Sequence, residues 1–593
     1  MKNILPILLV SLFFRLIYLG VVPVSLSHDE TDNIIQAHSL LRTGKDIVGT
    51  WQPLDFLPNN GVMAELGPVI NAPLLSFLPN NLFTSRLTTA LLSSIFPLLL
   101  LYWLTLIGVE GGVAYLTAWL LAISPWHILF SRTALEQPTS LFFYLLSWIF
   151  LSRLVLSYKS KYLHLMNFIN MLLFTITYSI GFYTYHGYKF SLPILTGILI
   201  LWHFFVNPKK RVRLLLIIPS LLVVGLVLRT ALYSTYYSSR GSEILFSHTL
   251  EYQDQVNQDR RLSLAPQFLR QVYSNKPLKL MQNLRDKYVG ALNPDLVYLH
   301  GESNGIFSTW QTGYLYLFTM PFLLLGIGYL VFTHSQDHLL ILALLVLSPI
   351  ASTIHINNTL AFRSGIYFVL LNIVTAYGLV HTSKQLKSLS KNLQLLIYFV
   401  FAFMITSSLS YFCYTYFYVT PVTHANTYFY NDRVIANYIR LTPENQTLII
   451  VPQPRYLYSA ITLARSFITK TDIDSFNHHY SPTDLDFYDN GSVTVAHSCK
   501  EVQARHYDTV IVSKNILADQ GDCAPINKLM DENDLKSASL VSPQDSGEEY
   551  RIIGDRLCSE VKLGSFVYPR SLSDYRLDRM GKSDFCVKWV VKQ

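Results

Sequence analysis

The chain has 593 residues, 51% of them hydrophobic and only 14% charged. Soluble domains carry about 25% charged residues, so a fully solvated globule is excluded and lipid is the main solvent. The formal charge of +8 falls partly in short loops between apolar runs. There it reads as a signal of topology, not as affinity for nucleic acid.

Eleven apolar runs are long enough to cross a bilayer, which takes roughly 17 to 25 residues per helix. They lie at about 4–24, 86–107, 112–130, 138–157, 164–184, 188–206, 213–232, 312–333, 337–354, 360–382 and 392–416. Arg229 shortens the apolar part of the seventh run, which makes it the weakest of the set. The expected fold class is an α-helical polytopic membrane protein with a C-terminal soluble α/β domain. The expected division is 1–416 for the membrane domain, with outer loops 25–85 and 233–311, and 417–593 for the domain outside. Alternating crossings place Lys2, Arg153/Lys159/Lys161, "NPKKRVR" (207–213) and "HTSKQLKSLSKN" (381–392) on one side. Basic residues favour the cytoplasm, so the N-terminus is expected inside and the C-terminal domain outside. Cleavage of the first run as a signal peptide is not expected, because Arg15 interrupts it and no small-x-small site follows.

After the first run comes "SHDETD" (27–32). Ser27 and Glu30 form a capping box, Ile34, Ile35, His38 and Leu41 follow at helical spacing, and Gly44 is placed to end the segment. An amphipathic helix over 28–43, lying along the membrane surface, is predicted. On the plain reading Glu30 only caps and Asp29 only complements the helix dipole. On the chemical reading a carboxylate kept ionised at the lipid edge deprotonates an acceptor hydroxyl or holds a divalent cation. His28, Asp29 and Asp32 are conceivable ligands for such a cation, at a spacing diagnostic of no particular metal.

Further outer turns carry charge. In "SPWHILFSRTALEQP" (124–138), Arg132 and Glu136 stand four residues apart and either pair with each other or face a site. "GFYTYHGYKF" (181–190) crowds tyrosines, as an aromatic belt does, but also holds His186 and Lys189, cations that suit a lipid-linked phosphate. "HGESNGIFSTWQTG" (300–313) offers His300 and Glu302 beside a Ser-Asn-Gly turn signal, and "STIHINNTLAFRSG" (352–365) offers His355 and Arg363. A guanidinium holds phosphate in bidentate fashion; a snorkelling helix-end Arg is the plain alternative. In the polar tail, "TLIIV" (447–451), "DTVIVS" (508–513) and "CVKWVV" (586–591) read as strands, and Val434, Ile435, Tyr438 and Ile439 as a helical stripe. Its four cysteines permit three pairings; proximity suggests Cys499–Cys523 and Cys558–Cys586.

A first helix, an outer "DE" opening a second helix, some sixty residues of outer loop, many further helices and a soluble outer domain resemble the membrane-embedded GT-C glycosyltransferases. The likeness is to the protein O-mannosyltransferases and the lipid A aminoarabinose transferase. In that family the loop runs "DE", then "(F/Y)EKPPL", then an Arg opening the next helix. This sequence has Asp29-Glu30, "AELGPVINAPLL" (64–75) and "SRLTTALLS" (85–93), with Glu65, Pro68 and Arg86 in the matching places. Leu66 stands where the family has Lys, so a phosphate contact is missing there. The resemblance implies transfer of a sugar from a polyprenyl phosphate to an acceptor protein, lipid or glycan at the outer face. Asp29 and Glu30 would be catalytic; Glu65, Arg86, Arg132, Glu136, His186, Lys189, His300, Glu302, His355 and Arg363 would bind substrate. Since the family's "DE" members contrast with its D-x-D members, no metal site is assigned, and a divalent cation stays open as a cofactor. A lipid or glycan transporter, or flippase, is the alternative function, and a membrane-anchored assembly protein another.

Overall fold

The computed structural model describes residues 4–47, 49, 64–157, 163–207, 209–233, 249–333, 335–356, 359–479, 488–498, 506–514, 538–542, 548–558, 567 and 569–592. Its contacts divide the chain into two compact units. One comprises Met1–Arg15, Leu91–Ser131 and Glu136–Phe412; the other comprises Leu16–Ala90, Arg132–Leu135 and Cys413–Gln593. The first outer loop therefore folds with the tail, a grouping that the linear division at residue 416 does not contain.

Among the described residues, eight helices are long and apolar enough to cross a membrane: Leu82–Leu106, Glu136–Leu156, Leu165–Thr184, Tyr188–Val206, Val212–Leu232, Gln336–Thr353, Ile366–Leu386 and Lys391–Thr423. Gly111–Ile123 and Pro125–Ser131 make a ninth if the bent pair counts as one span, and Leu5–Leu16 and Leu317–Thr333 are shorter apolar helices. Each of the eleven apolar runs thus has its helix. The bend of 56° has a chemical cause, since Pro125 cannot donate the backbone bond that would continue the helix. The carbonyl left over at Ala122 receives Arg15 at 2.9 Å, and that of Leu121, which also accepts the Ser124 amide, receives it at 3.4 Å. The charge that interrupts the first apolar run is therefore a plug for a broken helix. Arg229, the anomaly of the seventh run, donates to the Tyr183 hydroxyl at 3.0 Å and leaves its helix continuous.

Two crossing helices in the membrane unit meet through glycine. A Cβ at Gly378 would lie 1.9 Å from the Phe322 carbonyl oxygen, and one at Gly326 would lie 2.0 Å from that of Val374. Lipid supplies no hydrophobic drive for helix association, so backbone approach at small residues replaces it. Within this unit Lys384 meets Glu110 at 2.7 Å, Tyr377 of the same helix meets Asp337 at 3.0 Å, and the Ala361 amide meets Glu302 at 2.7 Å.

Among the described residues, the second unit holds a seven-stranded sheet of β1 (Thr447–Ile450), β2 (Tyr488–Asp489), β3 (Val493–Ala496), β4 (Thr509–Ser513), β5 (Ala538–Val541), β6 (Glu548–Ile553) and β7 (Val590–Lys592). Its order is β2-β3-β1-β4-β6-β5-β7, with β1 parallel to β3 and β4 and the remaining pairs antiparallel. β1 and β4 are buried throughout, the pattern of central parallel strands covered on both faces. The predicted helical stripe is the Tyr430–Leu441 helix, with Val434, Ile435, Tyr438 and Ile439 buried. "CVKWVV" is not a strand: Lys582–Trp589 is helical and only Val590–Lys592 extends. Phe585, Cys586 and Trp589 bury one helical face, a spacing of one and four residues that period-two alternation cannot supply. Cys586 is bonded to Cys558, as proximity suggested; Cys499 and Cys523 lie outside the described residues.

Candidate active site

The "SHDETD" segment starts a helix, His28–Thr43, with every local signal realised. The Ser27 hydroxyl accepts from the Glu30 amide at 3.4 Å, the Glu30 carboxylate accepts from the Ser27 amide at 2.9 Å, and Gly44 closes the helix in the left-handed conformation. Protein encloses most of the helix. Residues from Glu30 through Ser39 are buried, because it packs against Gly67–Leu75 and against Pro454–Leu463 and Lys470–His479 of the tail. Ile34, Ala37, Leu75 and Ala134 form its apolar contact. Period-3.6 patterning shows one apolar face, but the polar face here meets protein instead of water.

The polar face is a set of buried cross-links. Glu30 is fully buried; one carboxylate oxygen accepts from Arg86 Nε at 3.1 Å and from the Ala134 amide at 2.8 Å. The same guanidinium donates to the carbonyls of Pro23, at 2.7 Å, and Ser25. Arg132, also fully buried, donates to the Val22 carbonyl at 3.0 Å and to the Tyr416 hydroxyl at 3.3 Å, and lies 4.9 Å from the Phe417 ring centre. Both cations thus satisfy carbonyls in the chain leading into the helix. Asp32 pairs with Arg455; burial pushes its carboxyl above the ordinary value against the pull of that guanidinium. His28 is stacked between Phe429 and Tyr456, with ring centres 3.4 and 3.6 Å away, and its Nε2 is 3.9 Å from Asp432.

Of the three carboxylates in the motif, Asp29 alone is exposed. It occupies the first turn, where helix dipole and amides stabilise negative charge. Glu65 is buried in the same unit. Of the conceivable cation ligands, His28 and Asp32 are engaged as described, and among the described residues no three His, Cys, Asp or Glu side chains group as a metal would require.

The other candidates belong to the membrane unit. Glu136 is half-buried in the first turn of its helix. His186 is half-buried, and Lys189 lies over the rings of Phe182 and Tyr183 at 5.8 and 5.4 Å. His300 is exposed and bonded to Asp295 at 2.6 Å. His355 is buried and its carbonyl accepts from Lys287 at 2.7 Å. Arg363 is half-buried and donates to the Thr359 hydroxyl at 3.0 Å. Glu302 is buried; one oxygen accepts from the Ala361 amide, and burial pushes its carboxyl up to about 7 against that bond and one from Leu360. Sequence reasoning missed Arg455, Phe429 and Tyr456, because nothing in the tail's own pattern shows that it folds onto residue 28.

No protein-family model matches this chain, and no curated protein matches it significantly. Among solved structures it is similar to ArnT of Cupriavidus metallidurans bound to undecaprenyl phosphate, with 10% identity, 93% of this chain and 97% of that chain covered, and a TM-score of 0.48. It is also similar to the oligosaccharyltransferase AglB of Archaeoglobus fulgidus in complex with an inhibitory peptide and a dolichol-phosphate (11% identity, 92% and 73% covered, TM-score 0.43). A third likeness is to the oligosaccharyltransferase of the same organism tethered to an acceptor peptide (14% identity, TM-score 0.42); it covers 78% of this chain and 63% of that one.

Proposed function

We propose that the chain is a membrane glycosyltransferase that moves a sugar from a polyprenyl-phosphate donor to a hydroxyl acceptor at the outer face, with inversion. The observation that carries this reading is the division of labour in "SHDETD": Glu30 and Asp32 are buried cross-links, while Asp29 is held exposed on the rigid first turn they anchor. A carboxylate so placed is a general base. The acceptor oxygen attacks the anomeric carbon as Asp29 takes its proton; the carbon–oxygen bond to phosphate breaks, and its electron pair stays on the phosphate. A phosphate leaving group needs no general acid, only positive charge. One direct displacement inverts the anomeric centre and needs no carboxylate nucleophile. Arg86 and Arg132 are read as scaffold, and Glu30 as the residue that positions Asp29.

Transport is the weaker reading. A carrier places its site near the bilayer midplane, whereas the cavity among Trp103, Tyr144, Trp148, Leu192 and Ile373 measures about 10 Å³ and its wall is apolar. The Thr196 hydroxyl of a neighbouring helix accepts from the Trp148 indole Nε1 at 2.9 Å. The test is transfer of a radiolabelled sugar from polyprenyl phosphate to envelope acceptors by purified protein. Asp29→Asn should cut turnover by about 10²–10⁴-fold, the usual share of a general base, with an unaltered melting temperature. Full turnover in that variant would remove Asp29 from the reaction. Acceptor-independent movement of the labelled lipid across vesicles would favour the transporter.

A further inference from the structure

The membrane unit contains a larger cavity of mixed lining, of about 510 Å³, that the proposed reaction does not use. Its wall is built by the Lys276–Gly290 helix of the second outer loop, by the segment ending in Glu302, and by the turn that precedes Arg363. Ligand sites run from about 300 to 1,000 Å³, so a sugar ring fits with its water. Glu302 is a buried polar group of the wall: it is only 5% exposed, one oxygen accepts from Ala361, and the other has no hydrogen-bond partner among the described residues. A buried polar atom without a partner costs free energy unless a ligand or water supplies one.

Charge selects the ligand. The ionisable wall residues besides tyrosine are Glu251, Asp286, Glu302 and Lys287, three acids to one base. Lys287 commits two of its donors to the carbonyls of His355 and Ile356, at 2.7 and 2.6 Å. A phosphate would meet mainly carboxylates there. A hydroxyl-rich ring would find acceptors at Glu302 and mixed partners at Asn283 and Thr359. We propose that this cavity binds an uncharged or amino-bearing sugar ring, with Glu302 as the carboxyl that meets a ring hydroxyl. The inference rests on the glycosyltransferase reading for its ligand class, since the ring belongs either to the donor or to a glycan acceptor. The raised titration of Glu302 suits the role, because a carboxyl near neutrality can donate as well as accept.

Saturation-transfer NMR on the full chain in nanodiscs tests this with methyl glycosides of hexoses, hexosamines and pentoses, and with inorganic phosphate as competitor. At least one glycoside should receive saturation, resist phosphate, and bind about tenfold or more weakly to Glu302→Ala. Asn283→Ala, a change on a half-buried helix surface, should weaken the same glycoside and so guards against misfolding of the Glu302 variant. Asp29→Asn should bind the glycoside normally, so loss of transfer and loss of the sugar cavity are separate results. A raised KM for donor in Glu302→Gln assigns the ring to the donor, and a raised KM for acceptor assigns it to the acceptor. No saturation of any glycoside, binding indifferent to both wall variants, or displacement by phosphate would overturn the proposal.

Discussion

Asp29 and Glu30 are neighbours in sequence with opposite environments. One is exposed and the other is sealed against Arg86 and the Ala134 amide. Removing one partner of a buried ion pair costs about 3–5 kcal/mol, because the other charge is left buried and uncompensated. Glu30→Gln is therefore expected to lower the melting temperature measurably, while Asp29→Asn leaves it unchanged. Differential scanning fluorimetry in detergent reads both, and equal melting of the two variants would contradict the assignment of roles. The capping half of Glu30's work was legible, since Ser27 and Glu30 are three residues apart. Its contact with Arg86 crosses 56 positions, and only the family-like place of Arg86 drew attention to it. Arg132 shows the same limit: its partner Tyr416 is 284 residues away.

Elements follow local pattern where solvent on one side decides them, and depart from it where packing does. The apolar runs became helices because backbone groups in lipid have no other partner. "CVKWVV" became mostly helix because burial of Phe585, Cys586 and Trp589, together with the bond from Cys586 to Cys558, selects one helical face over the β propensity of the valines. The bond closes a separation of 28 residues, for which a stabilisation of about 2–4 kcal/mol is usual. Cys586→Ser should accordingly lower the unfolding midpoint, and reductant should add nothing further to that variant beyond any effect of other cysteines. Helix crossing gives a sharper expectation. Gly378→Val would drive a side chain into the Phe322 carbonyl region, so the variant should lose thermal stability while Gly225→Ala, with no atom within 4 Å of the added carbon, should not. Comparable melting of the two would refute the close crossing.

Two predictions belong to the molecule as a whole. Glu302 titrates near 7 when folded against an ordinary 4.5. In that window the folded chain keeps a proton that the unfolded chain has lost, so stability is fullest below the lower value and falls as pH rises towards the upper one. Relative to Glu302→Gln, the wild type should lose on the order of 1–3 kcal/mol between about pH 5 and about pH 7.5; parallel melting curves would remove the shift. For topology, single cysteines near Lys387 should resist a membrane-impermeant maleimide in intact cells, and one near Asn445 should react. The reverse pattern would invert the orientation read from basic residues.

Composition alone determined that the chain lives in lipid, since too few charges and too many apolar runs leave water no role as its main solvent. The runs' length fixed where helices form, and the spacing of Ser27, Glu30 and Gly44 fixed where the first outer helix begins and ends. The tertiary structure alone decided that this helix is enclosed by the tail, that Arg86, Arg132 and Arg455 serve as its struts, and that Glu302 lines a cavity. Each of those depends on contacts between segments scores or hundreds of residues apart. Local pattern records which face of an element avoids water, but not which distant face comes to cover it.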